Sequence, residues 1–175
     1  MTALPFPRPR ETVAALLCLA SIAIVASAWG FELFGGFIPC RLCLEQRIPY
    51  YAGAAVAAVA FLAERFDAPA FVARLGLLIL IGLFAWGVSI GVYQAGAEWG
   101  YWPGPTDCAD LAGNGVPKNA LDLFGGIEAT RIVDCSKAQL VVFGLSFAGW
   151  NVLASLGLIA VAGFGLFVAR RSPAA

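Results

Sequence analysis

Four stretches of the chain, residues 12–31, 48–63, 75–97 and 138–169, contain no Asp, Glu, Lys or Arg. They are 20, 16, 23 and 32 residues long. A helix crosses about 30 Å of hydrocarbon with roughly 20 apolar residues. The first and third runs match that length directly. The second reaches it by starting near Cys43, with its charged residues at headgroup depth. The fourth is long enough to tilt or to project beyond the bilayer. Lipid leaves the edges of an open sheet unsatisfied, so helices are the form these runs take. The sequence therefore predicts an all-α membrane protein, a single domain over residues 1–175. Its architecture is a four-transmembrane-helix bundle with spans at about 12–31, 43–63, 75–97 and 140–167. Two outward-facing loops, at about 32–42 and 98–139, join them, the second long and carrying a short surface helix.

Composition removes the alternatives. Hydrophobic residues make up 61% of the chain and charged residues 13%, against about half and a quarter in soluble domains. Net charge is zero and no long basic tract exists, which argues against a nucleic-acid partner. With no His, the chain has no mixed Cys/His zinc site, His-ligated haem, Ser-His-Asp triad or Cys-His nucleophile pair.

Orientation follows from Lys and Arg near the spans. Arg8, Arg10, Arg65, Arg74, Arg170 and Arg171 fall on one side, in short segments. Arg41, Arg47, Lys118, Arg131 and Lys137 are spread over longer segments on the other. Both termini are expected to be cytoplasmic. The N-terminal run with Ala26-Ser27-Ala28 also loosely resembles a cleaved signal, but its apolar stretch exceeds the usual 7–15 residues. Small residues at four-residue spacing, Gly87 with Gly91 and Gly53 with Ala57, permit close helix contact. Trp99, Tyr101 and Trp102, and at the other loop Tyr50 and Tyr51, read as interfacial aromatics.

Four of the five cysteines fall on the predicted outer side, as a close pair, Cys40 and Cys43, and a distant pair, Cys108 and Cys135. Disulfides persist in oxidising compartments such as the bacterial periplasm. Cys40-Arg41-Leu42-Cys43 is a CxxC preceded by Pro39. At a helix start, such thiols share a face and gain from the dipole, which lowers a thiol pKa. Arg41 and Arg47 add positive charge nearby. This pattern suits a redox-active pair; a static disulfide or a zinc site are the other readings. Cys108 and Cys135 lie in the second outer loop, whose first part is turn-rich, with Pro103, Pro105, Gly113 and Pro117. Leu121, Phe124, Ile127 and Ile132 then mark the apolar face of the short surface helix. A bridge between these two cysteines also reads as a structural staple, and a non-catalytic scaffold with fixed disulfides is the alternative to an enzyme. Cys18, among leucines in the first span, reads as a small hydrophobe.

The run Cys40-Arg41-Leu42-Cys43-Leu44-Glu45-Gln46-Arg47 resembles the CxLCxxxR signature of the DsbB family of disulfide bond formation proteins. Four spans and a second cysteine pair between spans three and four extend that likeness over nearly the whole chain. The resemblance implies a protein-dithiol:quinone oxidoreductase in the bacterial inner membrane, with both cysteine pairs periplasmic. Its partner would be a DsbA-type thiol oxidase, and its acceptor a membrane quinone, ubiquinone or menaquinone. Redox-active disulfides Cys40–Cys43 and Cys108–Cys135 are implied. Cys108 would be attacked by the reduced partner, Cys135 would then exchange with Cys40, and Cys43 would lie next to the quinone. Arg47 would sit beside the quinone, although its position also suits a boundary residue. Gln46 takes no separate role. Without His, Glu45 or water is left to move protons.

Overall fold

The computed structural model describes residues 9–104, 138 and 140–171, with side chains up to Phe167. Its elements are α1 (Pro9–Gly35), α2 (Arg41–Glu45), α3 (Ile48–Arg65), α4 (Ala70–Glu98), a hairpin of β1 (Val141–Val142) and β2 (Leu145–Ser146), and α5 (Phe147–Arg171). Among the described residues three helices are long and apolar enough to cross a membrane: Pro9–Gly35, Ala70–Glu98 and Phe147–Phe167. The expected surface helix lies outside the described residues, as do Cys108 and Cys135.

The four longer helices form a ring in which α1 packs on α3, α3 on α4, α4 on α5, and α5 back on α1. Val13, Leu17, Ala57, Leu77, Leu80, Phe84, Leu158 and Ala162 fill its centre. Leu16, Leu19, Leu78, Trp86, Leu153 and Phe164 point outward. Apolar residues therefore occupy both inside and outside of the bundle, the arrangement of a chain whose solvent is hydrocarbon. At the end remote from Cys40, Arg10 and Glu64 tie α1 to α3 at 3.6 Å.

Two expected spans have different starts. The run expected to begin at residue 43 is two helices, with Gln46 and Arg47 as a turn between them. Pro49 explains the break: it has no N–H to bond the carbonyl of residue 45, and it is tolerated only in the first turn of a helix. The CxxC consequently sits on its own short helix. The fourth uncharged run is too long for one span because its first part is a hairpin. Phe143 and Gly144 both have positive φ, 51° and 80°, the backbone of a two-residue hairpin turn. Helix α5 starts only at Phe147.

The close-contact reading of the small-residue pairs has direct geometry. A Cβ at Gly91 would lie 2.8 Å from Val152 Cγ2 and 3.2 Å from Asn151 Nδ2. One at Gly53 would lie 3.0 Å from the Phe84 ring. By contrast, Gly82 has nothing within 4 Å. Gly91→Leu is expected to wedge α4 from α5 and destabilise the protein by about 1–3 kcal/mol. Gly82→Ala should be neutral or slightly stabilising, in unfolding by denaturing detergent.

Candidate functional site

The site is built at the end of the bundle where α1 stops and α2 begins. Cys40 is the N-cap of α2, with extended backbone angles (φ −74°, ψ 169°), and its sulfur accepts the Cys43 N–H at 3.3 Å. Pro39 therefore precedes the cap rather than occupying the first helical position. The cap geometry turns both sulfurs to one side, with Sγ atoms 2.8 Å apart. Closing a bond between them needs less than an ångström of movement, since a disulfide is about 2.05 Å long. Cys40 is buried and Cys43 half-buried.

A second helix meets this pair. Gln94 on α4, only 3% exposed, places Nε2 3.4 Å from Cys43 Sγ and 3.7 Å from Cys40 Sγ. Its Oε1 accepts from Gln46 Nε2 at 2.6 Å. Its Nε2 also donates to Glu98 Oε1, one turn later, at 3.1 Å. Helix α4 ends immediately after Glu98 because Gly100 has φ 76°. Its N–H reaches Ala97 O, and that of Tyr101 reaches Gly96 O, the paired bonds of a Schellman stop. Trp102 folds back to donate from Nε1 to Tyr93 O at 2.8 Å, so this aromatic also closes the end of α4.

Arg47, the N-cap of α3, donates from Nη1 to Glu32 Oε2 at 2.8 Å, with its side chain only 12% exposed. Both residues line a cavity of about 420 Å³ that also includes Cys40, Cys43, Gln46 and Gln94. Phe31, Phe37 and Phe147 form an edge-to-face cluster on its wall. Its size lies within the roughly 300–1,000 Å³ of small-molecule sites. Glu45 pairs instead with Arg41 on the exposed side of α2, at 3.3 Å, and does not line the cavity. Tyr50 is in the core rather than at the interface. Its hydroxyl bonds Asn151 Oδ1 and, at 2.7 Å, Ser155 Oγ. Tyr51 does face outward, and accepts from Trp29 Nε1 at 2.7 Å. Cys18 packs against the central core, away from the cavity.

Sequence reasoning missed Gln94, Glu98 and Glu32. Glu32 and Glu98 bound uncharged runs, where they read as span ends. Gln94 carries a signal, since a lone amide inside an apolar run is expensive unless it has a partner.

The environment of Cys43 lowers its thiol pKa to about 6. The hydrogen bond from the Cys40 side chain contributes most; burial opposes it; Gln94 and a backbone bond at Cys40 lower it further; the Glu98 charge opposes. In this arrangement Cys43 is a thiolate at neutral pH, and a thiolate is both the nucleophile and the electron donor among sulfur species.

The chain was compared with known proteins. The family model described as "Disulfide bond formation protein DsbB" matches residues 10–165. Disulfide bond formation protein B of Polaromonas sp. is 28% identical over 174 residues, covering 93% of this chain and 92% of the relative. The protein of the same name from Actinobacillus pleuropneumoniae is 28% identical over 145 residues, covering 79% and 75%. That from Verminephrobacter eiseniae is 27% identical over 168 residues, covering 89% and 86%. No solved structure matches the chain.

Alkylation of reduced Cys43 is predicted to be half-maximal near pH 6. The rate should fall as pH drops below that value, because the thiol is then protonated. A midpoint near 8.5, that of an ordinary thiol, would contradict the assigned environment.

Proposed function

The chain belongs to the DsbB family of disulfide bond formation proteins, and on that premise we propose that it reoxidises a periplasmic DsbA-type dithiol protein and delivers the electrons to a membrane quinone. The observation that carries this reading is the Cys40–Cys43 sulfur pair on the wall of a largely apolar cavity beside Arg47. Helix α3 has 18 residues, about 27 Å at 1.5 Å per residue, and completes a four-span bundle with α1, α4 and α5. The whole chain is one membrane domain, with both termini cytoplasmic and the cysteine pairs periplasmic.

In this reading the partner's thiolate attacks Cys108 of the Cys108–Cys135 disulfide. The mixed disulfide resolves by attack of the partner's second thiol, which leaves the partner oxidised and Cys108 and Cys135 reduced. Exchange between Cys135 and the Cys40–Cys43 disulfide then reforms the first bridge and leaves Cys40 and Cys43 as thiols. Their reoxidation releases two electrons and two protons.

The residues present suit a quinone. Phe31, Phe37 and Phe147 supply apolar walls, and Arg47 supplies a fixed cation. Asn151, whose Nδ2 has no hydrogen-bond partner among the described residues, lies on the same wall. A bound quinone supplies the two-electron acceptor. Cys43 faces the cavity as the donor thiolate, Cys40 closes the bond behind it, and Arg47, held by Glu32, stabilises negative charge there. The lack of His leaves proton release to carboxylates and water, and Glu98 lines the cavity whereas Glu45 is paired with Arg41 on the exposed side of α2.

Turnover of purified protein with a reduced DsbA-type partner and quinone tests the reading, and absence of turnover in the unaltered protein overturns it. Cys43→Ser should abolish quinone reduction. Arg47→Ala should raise the KM for quinone about 10-fold or more, the effect of losing one charge-assisted hydrogen bond. Cys18→Ser should leave the rate unchanged.

A further inference from the structure

The amide of Gln94 is the group that touches both sulfurs, and which of its two ends does so matters chemically. Its Nε2 is 3.4 Å from Cys43 Sγ, while its Oε1 is 3.9 Å from the same atom. Turned by half a rotation, the amide would present Oε1 more closely. It would then repel a thiolate and favour a neutral thiol, because an amide oxygen only accepts. Gln46 cannot choose between these orientations, since its own amide can turn to match either. Glu98 can. An ionised carboxylate only accepts hydrogen bonds, so the end of Gln94 that faces it must be Nε2. The remaining N–H of that nitrogen is then directed at the sulfur pair.

We propose that Glu98 is the positioning residue of the sulfur pair: its carboxylate, accepting from Nε2, fixes the Gln94 amide with that nitrogen toward Cys40 and Cys43, so that the pair always faces a hydrogen-bond donor. The inference deepens the oxidoreductase reading and takes its functional meaning from it.

The placement of Glu98 is otherwise unfavourable. It occupies the last turn of α4, where the helix dipole disfavours a negative charge. Its Oε2 is buried with no hydrogen-bond partner among the described residues. The other charged groups on the cavity, Arg47 and Glu32, are paired with each other. Arg41 and Glu45 pair on the outer side of α2. Helix α3 adds the Tyr50 hydroxyl, held by Asn151 and Ser155. From α5 come Phe147, Asn151 and Ala154, none of them titratable. Glu98 bonds the Gln94 amide directly.

Glu98 acts on Cys43 with two opposite signs. Its charge disfavours the thiolate through space. Its hold on Gln94 favours the thiolate by keeping a donor in place. The two roles separate in a titration of the reduced full-length protein in detergent, without quinone or partner. The readout is the rate of iodoacetamide alkylation at Cys43, located by peptide mass, across pH. Glu98→Gln is expected to move the midpoint upward by about one unit, because the amide loses the ion that orients it. A downward shift, or none, overturns the proposal, since charge removal alone lowers the midpoint. In a Gln94→Leu background the same substitution should move the midpoint downward; a further upward shift there overturns the proposal too. Glu98→Ala is expected to show the sign of Glu98→Gln and serves if the latter does not accumulate. A failed titration leaves the oxidoreductase reading standing. Absence of turnover in the unaltered protein removes that reading without changing the titration.

Discussion

A backbone in hydrocarbon has no water to bond, so every segment that crosses must satisfy itself. That constraint shapes the rest of this molecule. It makes the long uncharged runs into helices and leaves little room for chemistry along their length. Within the bundle the Tyr50 hydroxyl closes on Asn151 and Ser155. Reactive and charged groups gather where helices end. Cys40 and Cys43 sit on the short helix before α3, Glu32 near the end of α1, Arg47 at the start of α3, and Gln94 and Glu98 in the last turns of α4.

At that end, burial and hydrogen bonding compete over the charge of Cys43. Removing a thiolate from water disfavours it, and the nearby Glu98 carboxylate does the same. Donors from Cys40 and Gln94 outweigh both, which leaves the thiol well below its ordinary range. The Arg47–Glu32 pair works on a different part of the cavity. It holds a guanidinium in a half-apolar wall without leaving a bare charge there, a condition that buried ions must meet. The site thus combines an electron-rich sulfur, a fixed cation and aromatic walls in one space of about 420 Å³.

Much of this was legible in the sequence, and the gaps have physical causes. Charge-free runs located α1, α4 and α5 because the cost of a charge in lipid is large and local. The CxxC and Arg47 lie close together in one sequence motif, and the structure brings both to one cavity. Gln94 was not legible, because it reaches Cys43 across 51 positions and nothing local marks which face of α4 it takes. Tyr50 reads as an interfacial aromatic until α5, 101 positions away, supplies Asn151 as its partner. The break before Pro49 and the hairpin before Phe147 were both hidden inside apolar runs. Hydropathy reports how apolar a segment is, and backbone direction within it is set instead by proline and by glycine at positive φ. Cys108 and Cys135 lie outside the described residues, and the relay proposed for them is read from the sequence.

The most direct measurement is an anaerobic single turnover. The purified protein, with Cys40 and Cys43 reduced, is mixed with excess quinone, and quinol formed is counted against Cys40–Cys43 disulfide closed, by mass. One quinol per disulfide is the predicted result. Quinone left oxidised while the two cysteines stay as thiols would contradict the account.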